Sequence, residues 1–141
     1  MEPGRAVLRK QSILLMVVSM SKAIKKAIEA PRGYHYFHIL EGFFVASHKH
    51  YGETLHGHNF RCRVKLRLDR TEFNCACFSQ VIRGLDYQHL NRIPYFRKFT
   101  PSTEHIARYI AESMASLGCQ AFEVEVFETD GCSGGVTICG S

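Results

Sequence analysis

Nine consecutive residues, Phe60-Arg-Cys-Arg-Val-Lys-Leu-Arg-Leu68, alternate apolar and basic without a fault. A period of two belongs to a strand with one face buried and the other wet, because successive side chains point to opposite sides of a pleated sheet. Even-numbered positions from Phe60 to Leu68 therefore face a core, and Arg61, Arg63, Lys65 and Arg67 face away from it. Phe122-Glu-Val-Glu-Val-Phe-Glu128 alternates in the same way. Two such strands require partners. The aromatic and β-branched stretch from Tyr34 to Ala46, with Gly42 as a bulge, and the short run Gly135 to Cys139 supply them. One good helix follows Thr100-Pro101, where Ile106, Tyr109, Ile110, Met114 and Leu117 recur at helical spacing until Gly118. A second, shorter helix is expected from Phe78 to Arg83. The class is α+β, with antiparallel strands and helices on one face.

The same parity exposes polar groups on the wrong side. Extended backwards, the even face of the Phe60 strand takes in His58 and His56, separated only by Gly57. Two imidazoles on one strand face bring nitrogens toward a common point, as zinc at ~2.0–2.1 Å requires. His48, after the first strand, is the natural third ligand; ordinary satisfied histidines are the competing reading. In the other strand, Glu128 falls on the apolar face of Phe122, Val124 and Val126. A carboxylate there needs a donor partner or a place at the strand end near water. An N–H beside an NH2, as on an amidine-like ring edge, would match it bidentately. Glu123 and Glu125 point the other way, toward the basic row.

Charge bears on partners. The 141 residues carry 18 Lys and Arg against 13 Asp and Glu, a net charge of +5 that alone suggests a polyanion partner. The excess is local. Residues 1–32 hold seven basic and two acidic side chains, leaving eleven of each in residues 33–141. A nucleic-acid module is therefore not expected, and the basic strand face reads as solvated or as lining an oligomer channel. No stretch reaches the ~18 apolar residues of a membrane-spanning helix. The chain is expected to divide at Gly33 into a basic extension, 1–32, and one domain, 33–141. The extension reads as a targeting segment or as the product of a misassigned start, so the expected compartment is the cytoplasm or, through residues 1–32, an organelle. The six cysteines are expected to be reduced thiols; Cys75-x-Cys77 is too closely spaced for a zinc knuckle.

Phe44-Val-Ala-Ser-His48, Leu55-His-Gly-His-Asn-Phe60, Leu85-Asp-Tyr-Gln-His-Leu-Asn91, Pro101-Ser-Thr-Glu104 and Phe127-Glu-Thr129 follow one another in this order. They resemble the signature of the 6-pyruvoyltetrahydropterin and 6-carboxytetrahydropterin synthase family across about residues 34–139. The resemblance implies a tunnelling fold: a four-stranded antiparallel sheet with two helices, closing as a trimer into a barrel, with two trimers stacked as a homohexamer. It implies zinc on His48, His56 and His58, and a pterin ring anchored by Glu128 with help from Ser102, Thr103 and Glu104. The usual substrate is 7,8-dihydroneopterin triphosphate, and the pathways are those of tetrahydrobiopterin, queuosine or folate.

The departures are informative. The family's catalytic cysteine is replaced by Gly52, and Glu53 resembles the glutamate of a variant branch with the pattern Glu-x-Leu-His-Gly-His. Members of that branch release 6-hydroxymethyl-7,8-dihydropterin, so Glu53 is the expected base. Asp86 is retained, but Tyr87 stands where the family has His; His89, three residues on, is the candidate to relay protons with Asp86. A catalytically silent zinc- or pterin-binding homologue is the alternative that these replacements leave open.

Overall fold

The computed structural model describes residues 36–67 and 75–139. The basic extension 1–32 and the boundary at Gly33 lie outside the described residues. The first two strands, β1 (Phe37–His48) and β2 (His56–Arg67), pair antiparallel from Phe37 opposite Arg67 to His48 opposite His56. Helix α1 (Cys75–Leu85) leads through Tyr87, whose φ is +56°, into a two-residue strand β3 (Gln88–His89). A 3-10 turn at Leu90–Arg92 and a short helix α2 (Pro94–Lys98), with proline in its first turn, precede the long helix α3 (Thr103–Ser116). Strands β4 (Glu123–Thr129) and β5 (Cys132–Thr137) complete the sheet, whose order is β3-β1-β2-β4-β5.

The expected four antiparallel strands are present, and β3 adds a parallel edge through Ala46 opposite Gln88 and Ser47 opposite His89. The parity rule holds along both long strands. Phe44, Ala46, Phe60, Cys62, Val64, Leu66, Val124 and Val126 are buried on one face. They pack against Phe78, Val81, Ile82 and Leu85 of α1 and against Ile106, Ala107, Ile110 and Met114 of α3. Both helices cover that face. The other face carries the basic row. Arg63 and Arg61 reach Glu41 at 3.3 and 3.7 Å, and Lys65 reaches Glu123 at 3.3 Å. Arg61 and Arg67 also lie over the rings of Phe127 and Phe122, 3.9 and 4.3 Å from the centroids. These exposed pairs contribute little energy each, but they occupy the row with neighbours on its own sheet.

Three expectations are corrected. Gly42 makes no bulge: it stays in register with Cys62, and its missing side chain serves packing, since a Cβ there would stand 3.0 Å from Cζ of Phe78. The irregularity lies instead between Phe127 and Thr129, where β4 spends one more residue than β5. Helix α1 is longer than Phe78–Arg83 because Cys75 and Leu85 extend it at both ends. Not all cysteines are reduced: Cys77 of α1 and Cys119, just past α3, are both buried and joined by a disulfide, their Cα atoms 6.7 Å apart. Two helices packed side by side bring together thiols 42 residues apart, which spacing along the chain does not report. Among the described residues no helix is long and apolar enough to cross a membrane.

Candidate metal and pterin site

Strand register assembles the site. His48 ends β1 directly opposite His56 at the start of β2, and His58 lies opposite the small Ala46, one diagonal step away. The ring centroids of His48 are 4.7 Å from His56 and 5.3 Å from His58, and those of His56 and His58 are 5.0 Å apart. Phe60 forms the floor, 5.3 Å from His48 and 5.5 Å from His58, and itself stacks on Phe44. His48 is fully buried. Such a bed of aromatic rings keeps water away on one side and leaves the outer side open.

Glu128 enters from β4. It is the extra residue of the irregularity between Phe127 and Thr129, and a bulge re-aims the side chain it carries. Its Oε1 lies 2.8 Å from Nε2 of His58, 3.0 Å from Nε2 of His48 and 3.9 Å from Nε2 of His56. One ligand atom from each of the four residues falls within 4.8 Å of all the others. Around a four-coordinate zinc such atoms stand about 3.3 Å apart, so an ion would need Glu128 to draw back slightly from His58 and His48 and to close toward His56.

Proton bookkeeping says what the cluster can hold. A backbone carbonyl only accepts, so the 2.8 Å contact between Nδ1 of His48 and the oxygen of Pro101 requires Nδ1 to carry the proton. The 2.8 Å contact between Nδ1 of His56 and the oxygen of Thr54 does the same. In the neutral form, Nε2 of both rings then presents a lone pair to the centre; with a second proton, His48 donates from Nε2 to Oε1 of Glu128 at 3.0 Å. The neutral form has the tautomer and orientation of a metal-ligating histidine. Nε2 of His58 is buried and forms no hydrogen bond despite its 2.8 Å approach to Glu128. Burial pushes His58 below its ordinary value, reinforced by His48 and His56 and opposed by Glu128. A neutral imidazole is the ligating form. Three nitrogen lone pairs and a carboxylate fit zinc.

The remaining candidates stand around this cluster in different ways. Glu53 is exposed on the loop between β1 and β2, where its Oε2 accepts from the N–H of His50 at 3.4 Å and its own N–H donates to the carbonyl of His50. Gly52, beside it, has a φ of +81°, a conformation that the cysteine usual at this position would adopt only with strain. Cys62 is no substitute nucleophile: burial pushes its thiol up to about 12. Asp86 uses Oδ1 to accept from the N–H of Val45 at 2.8 Å, while the N–H of Tyr87 donates to the carbonyl of Val45. The carboxylate thereby ties the end of α1 to β1. His89 pairs with Ser47, whose side chain has the opposite parity to His48, and borders a cavity of about 490 Å³ with Tyr87, Gly57 and Arg92. Neither Asp86 nor His89 joins the four-residue cluster.

Thr103 and Glu104 open helix α3. Ser102 caps it by accepting from the N–H of His105 at 3.3 Å, and Thr103 is buried. Both pack over Gly134 of β5, where any Cβ would collide with the Thr103 hydroxyl and the Glu104 carboxylate. Gly134 pairs with Val126, two residues from Glu128. Sequence reasoning missed the two carbonyls, of Thr54 and Pro101, that orient the histidines. Only the Pro101 motif pointed near them, because backbone acceptors leave no residue-type signal.

The family model described as 6-pyruvoyl tetrahydropterin synthase matches residues 34–137. The 6-pyruvoyl tetrahydrobiopterin synthase of Poecilia reticulata is 30% identical over 89 residues, a match covering 53% of this chain and 60% of that protein. The chain thus spans about three-fifths of the length of this relative. Among solved structures, the 6-pyruvoyl tetrahydropterin synthase of Caenorhabditis elegans superposes with a TM-score of 0.62 at 18% identity, covering 75% of this chain and 97% of that one. An uncharacterized protein of Wolinella succinogenes gives 0.58 at 17%, covering 74% and 99%. A Plasmodium vivax 6-pyruvoyltetrahydropterin synthase, described as a catalytic-residue mutant with glutamate changed to alanine, gives 0.51 at 17%, with the same coverage. At these identities the structural likeness speaks for the fold.

Proposed function

Because the chain belongs to the 6-pyruvoyl tetrahydropterin synthase family, we propose that it is a zinc-dependent lyase of pterin metabolism acting on 7,8-dihydroneopterin triphosphate. The observation that carries this reading is the convergence of three imidazole nitrogens on one carboxylate oxygen, two of the rings having their tautomer set by backbone carbonyls. His48, His56 and His58 would hold the zinc. When bound, it supplies a Lewis acid that polarises oxygen atoms of the substrate side chain.

The chain's own residues supply orientation and proton transfer. Glu128 offers two acceptor oxygens to the N–H and NH2 of the pterin edge, which fixes the ring and so sets which side-chain carbon faces the metal. Phe60 and Phe44 exclude water beneath. Glu53 is the base that takes a proton from the substrate side chain; on the exposed turn its carboxylate has one long contact, at 3.4 Å, which leaves the side chain free to swing. The glutamate named as a catalytic residue in the Plasmodium vivax protein supports a glutamate-using chemistry, and 6-hydroxymethyl-7,8-dihydropterin is then the product expected. Asp86 and His89, on the far side of β1, would serve a proton relay only toward a second copy, consistent with the proposed homohexamer.

The test is a mass-spectrometric product assay with zinc-loaded protein and 7,8-dihydroneopterin triphosphate. A hydroxymethyl product supports the reading in full, and a pyruvoyl or carboxy product supports the lyase but removes the glutamate-branch assignment. No turnover, with zinc and pterin both bound, would leave a binding protein instead.

A further inference from the structure

We propose that Tyr51, at the tip of the loop between β1 and β2, folds over the bound pterin ring and stacks on its outer face. The inference rests on the pterin reading above and adds to it the residue that covers the ring.

The loop is built as a hinged tip on two fixed roots. Seven residues, from Lys49 to Leu55, join strands that pair up to His48 opposite His56, although two to five usually suffice for a hairpin. At one root the N–H of Lys49 donates to Oδ1 of Asn91, and the Asn91 amide donates back to the carbonyl of Lys49, both at 3.0 Å. At the other root the carbonyl of Thr54 accepts from Nδ1 of His56 at 2.8 Å. Between them the tip's hydrogen bonds are its own. The N–H of Glu53 donates to the carbonyl of His50 at 3.1 Å, and the Glu53 carboxylate accepts from the N–H of His50 at 3.4 Å. Tyr51 and Gly52 are the two central residues of this turn, and the φ of +81° at Gly52 suits the third position of a type II turn. A turn closed on itself in this way can swing as one piece about its roots.

The tip already stands beside the site. The ring of His50 lies 5.2 Å from that of His48, edge to face. Tyr51 is the next residue, at the corner of the turn, and its side chain is fully exposed. Leu55 on the same loop is half exposed. The turn itself asks for no aromatic residue at the corner; a polar one would serve and leave no apolar surface in water. A ligand supplies the reason. A pterin held at its edge by Glu128, above the Phe60 floor, still turns one face to water. Flat heteroaromatic rings stack on aromatic side chains whatever their substituents. Swinging inward would lay Tyr51 on that face and carry Glu53, two residues on, toward the substrate side chain. One motion then excludes water and brings in the base.

The chain contains no tryptophan, so Tyr51→Trp places a single fluorescent reporter at the tip. Full-length, zinc-loaded protein is titrated with 7,8-dihydroneopterin, with binding measured by equilibrium dialysis and the reporter's accessibility by acrylamide quenching. The reporter is expected to be open to acrylamide in the free protein and protected once pterin saturates. Tyr51→Phe is expected to bind as wild type does, and Tyr51→Ala about tenfold more weakly. A reporter still open at saturation, or wild-type affinity in Tyr51→Ala, would overturn the proposal. So would a reporter protected before pterin is added, since something other than the ring would then cover the tip. If wild type itself binds no pterin, the pterin reading falls, and this inference with it.

Discussion

Around the His cluster the energetics are decided residue by residue, because a buried acceptor without a donor is costly and a buried acceptor beside a cation is not. Glu53 and Glu128 separate cleanly on this ground. Glu53→Gln removes the proposed base from an exposed turn that supplies no ligand to the cluster. The expected outcome is zinc retained at about one per chain with turnover lost; metal analysis beside the product assay checks it, and full activity would remove Glu53 from the mechanism. Glu104 supplies a pH signature. The hydrogen bond from its own backbone N–H, and then the Ser102 hydroxyl, hold its carboxyl below the usual range. A carboxylate depressed in the folded state contributes stability above its unfolded value of about 4.5, lost as pH falls through the folded one. In Glu104→Gln, urea unfolding midpoints should therefore fall less steeply below pH 4.5 than in wild type. At this scale the sequence was most readable: His56, His58 and Glu128 were legible as polar residues carried onto an apolar face, and His48 as a histidine near the end of the first strand.

Elements show where pattern reading stops. Two strands were legible because a two-residue period survives in the sequence, and β2 and β4 run where alternation placed them; β1, read from aromatic and β-branched residues over Tyr34–Ala46, runs from Phe37 to His48. Glycine was not legible in the same way. Gly42 looks like a bulge by residue type, yet its position opposite Cys62 and against Phe78 makes it a packing contact. Gly42→Val should cost about 1–3 kcal/mol through overpacking, read from urea unfolding, and no cost would mean that α1 shifts freely. The turn between α1 and β3 stores strain in the opposite sense. Tyr87 holds a φ of +56° with its side chain largely exposed, a region that disfavours residues with a Cβ by roughly 1–2 kcal/mol. Tyr87→Gly is expected to raise stability by about 1 kcal/mol while preserving zinc content. The irregularity at Glu128 could not be read either, since it depends on how β5 registers against β4.

For the whole molecule, metal and fold should be coupled. His48 and His56 meet across two strands, and Glu128 comes from a third, so an ion on them ties β1, β2 and β4 together. A ligand that binds only the folded state stabilises it by about 2.7 kcal/mol at one hundred times its dissociation constant. Chelation with EDTA should therefore lower Tm, and zinc should restore it; an unchanged Tm would mean that the site is preformed without being occupied. By itself the sequence determined the sheet's inner and outer faces and the class of the fold, and it singled out the histidines that the fold gathers with Glu128, because side-chain alternation and residue type are written along the chain. Tertiary structure alone decided which thiols pair, which carbonyls set the histidine tautomers, and that Glu128 turns into the cluster. Each of these depends on the distance between segments remote in sequence, and packing, not local preference, sets that distance.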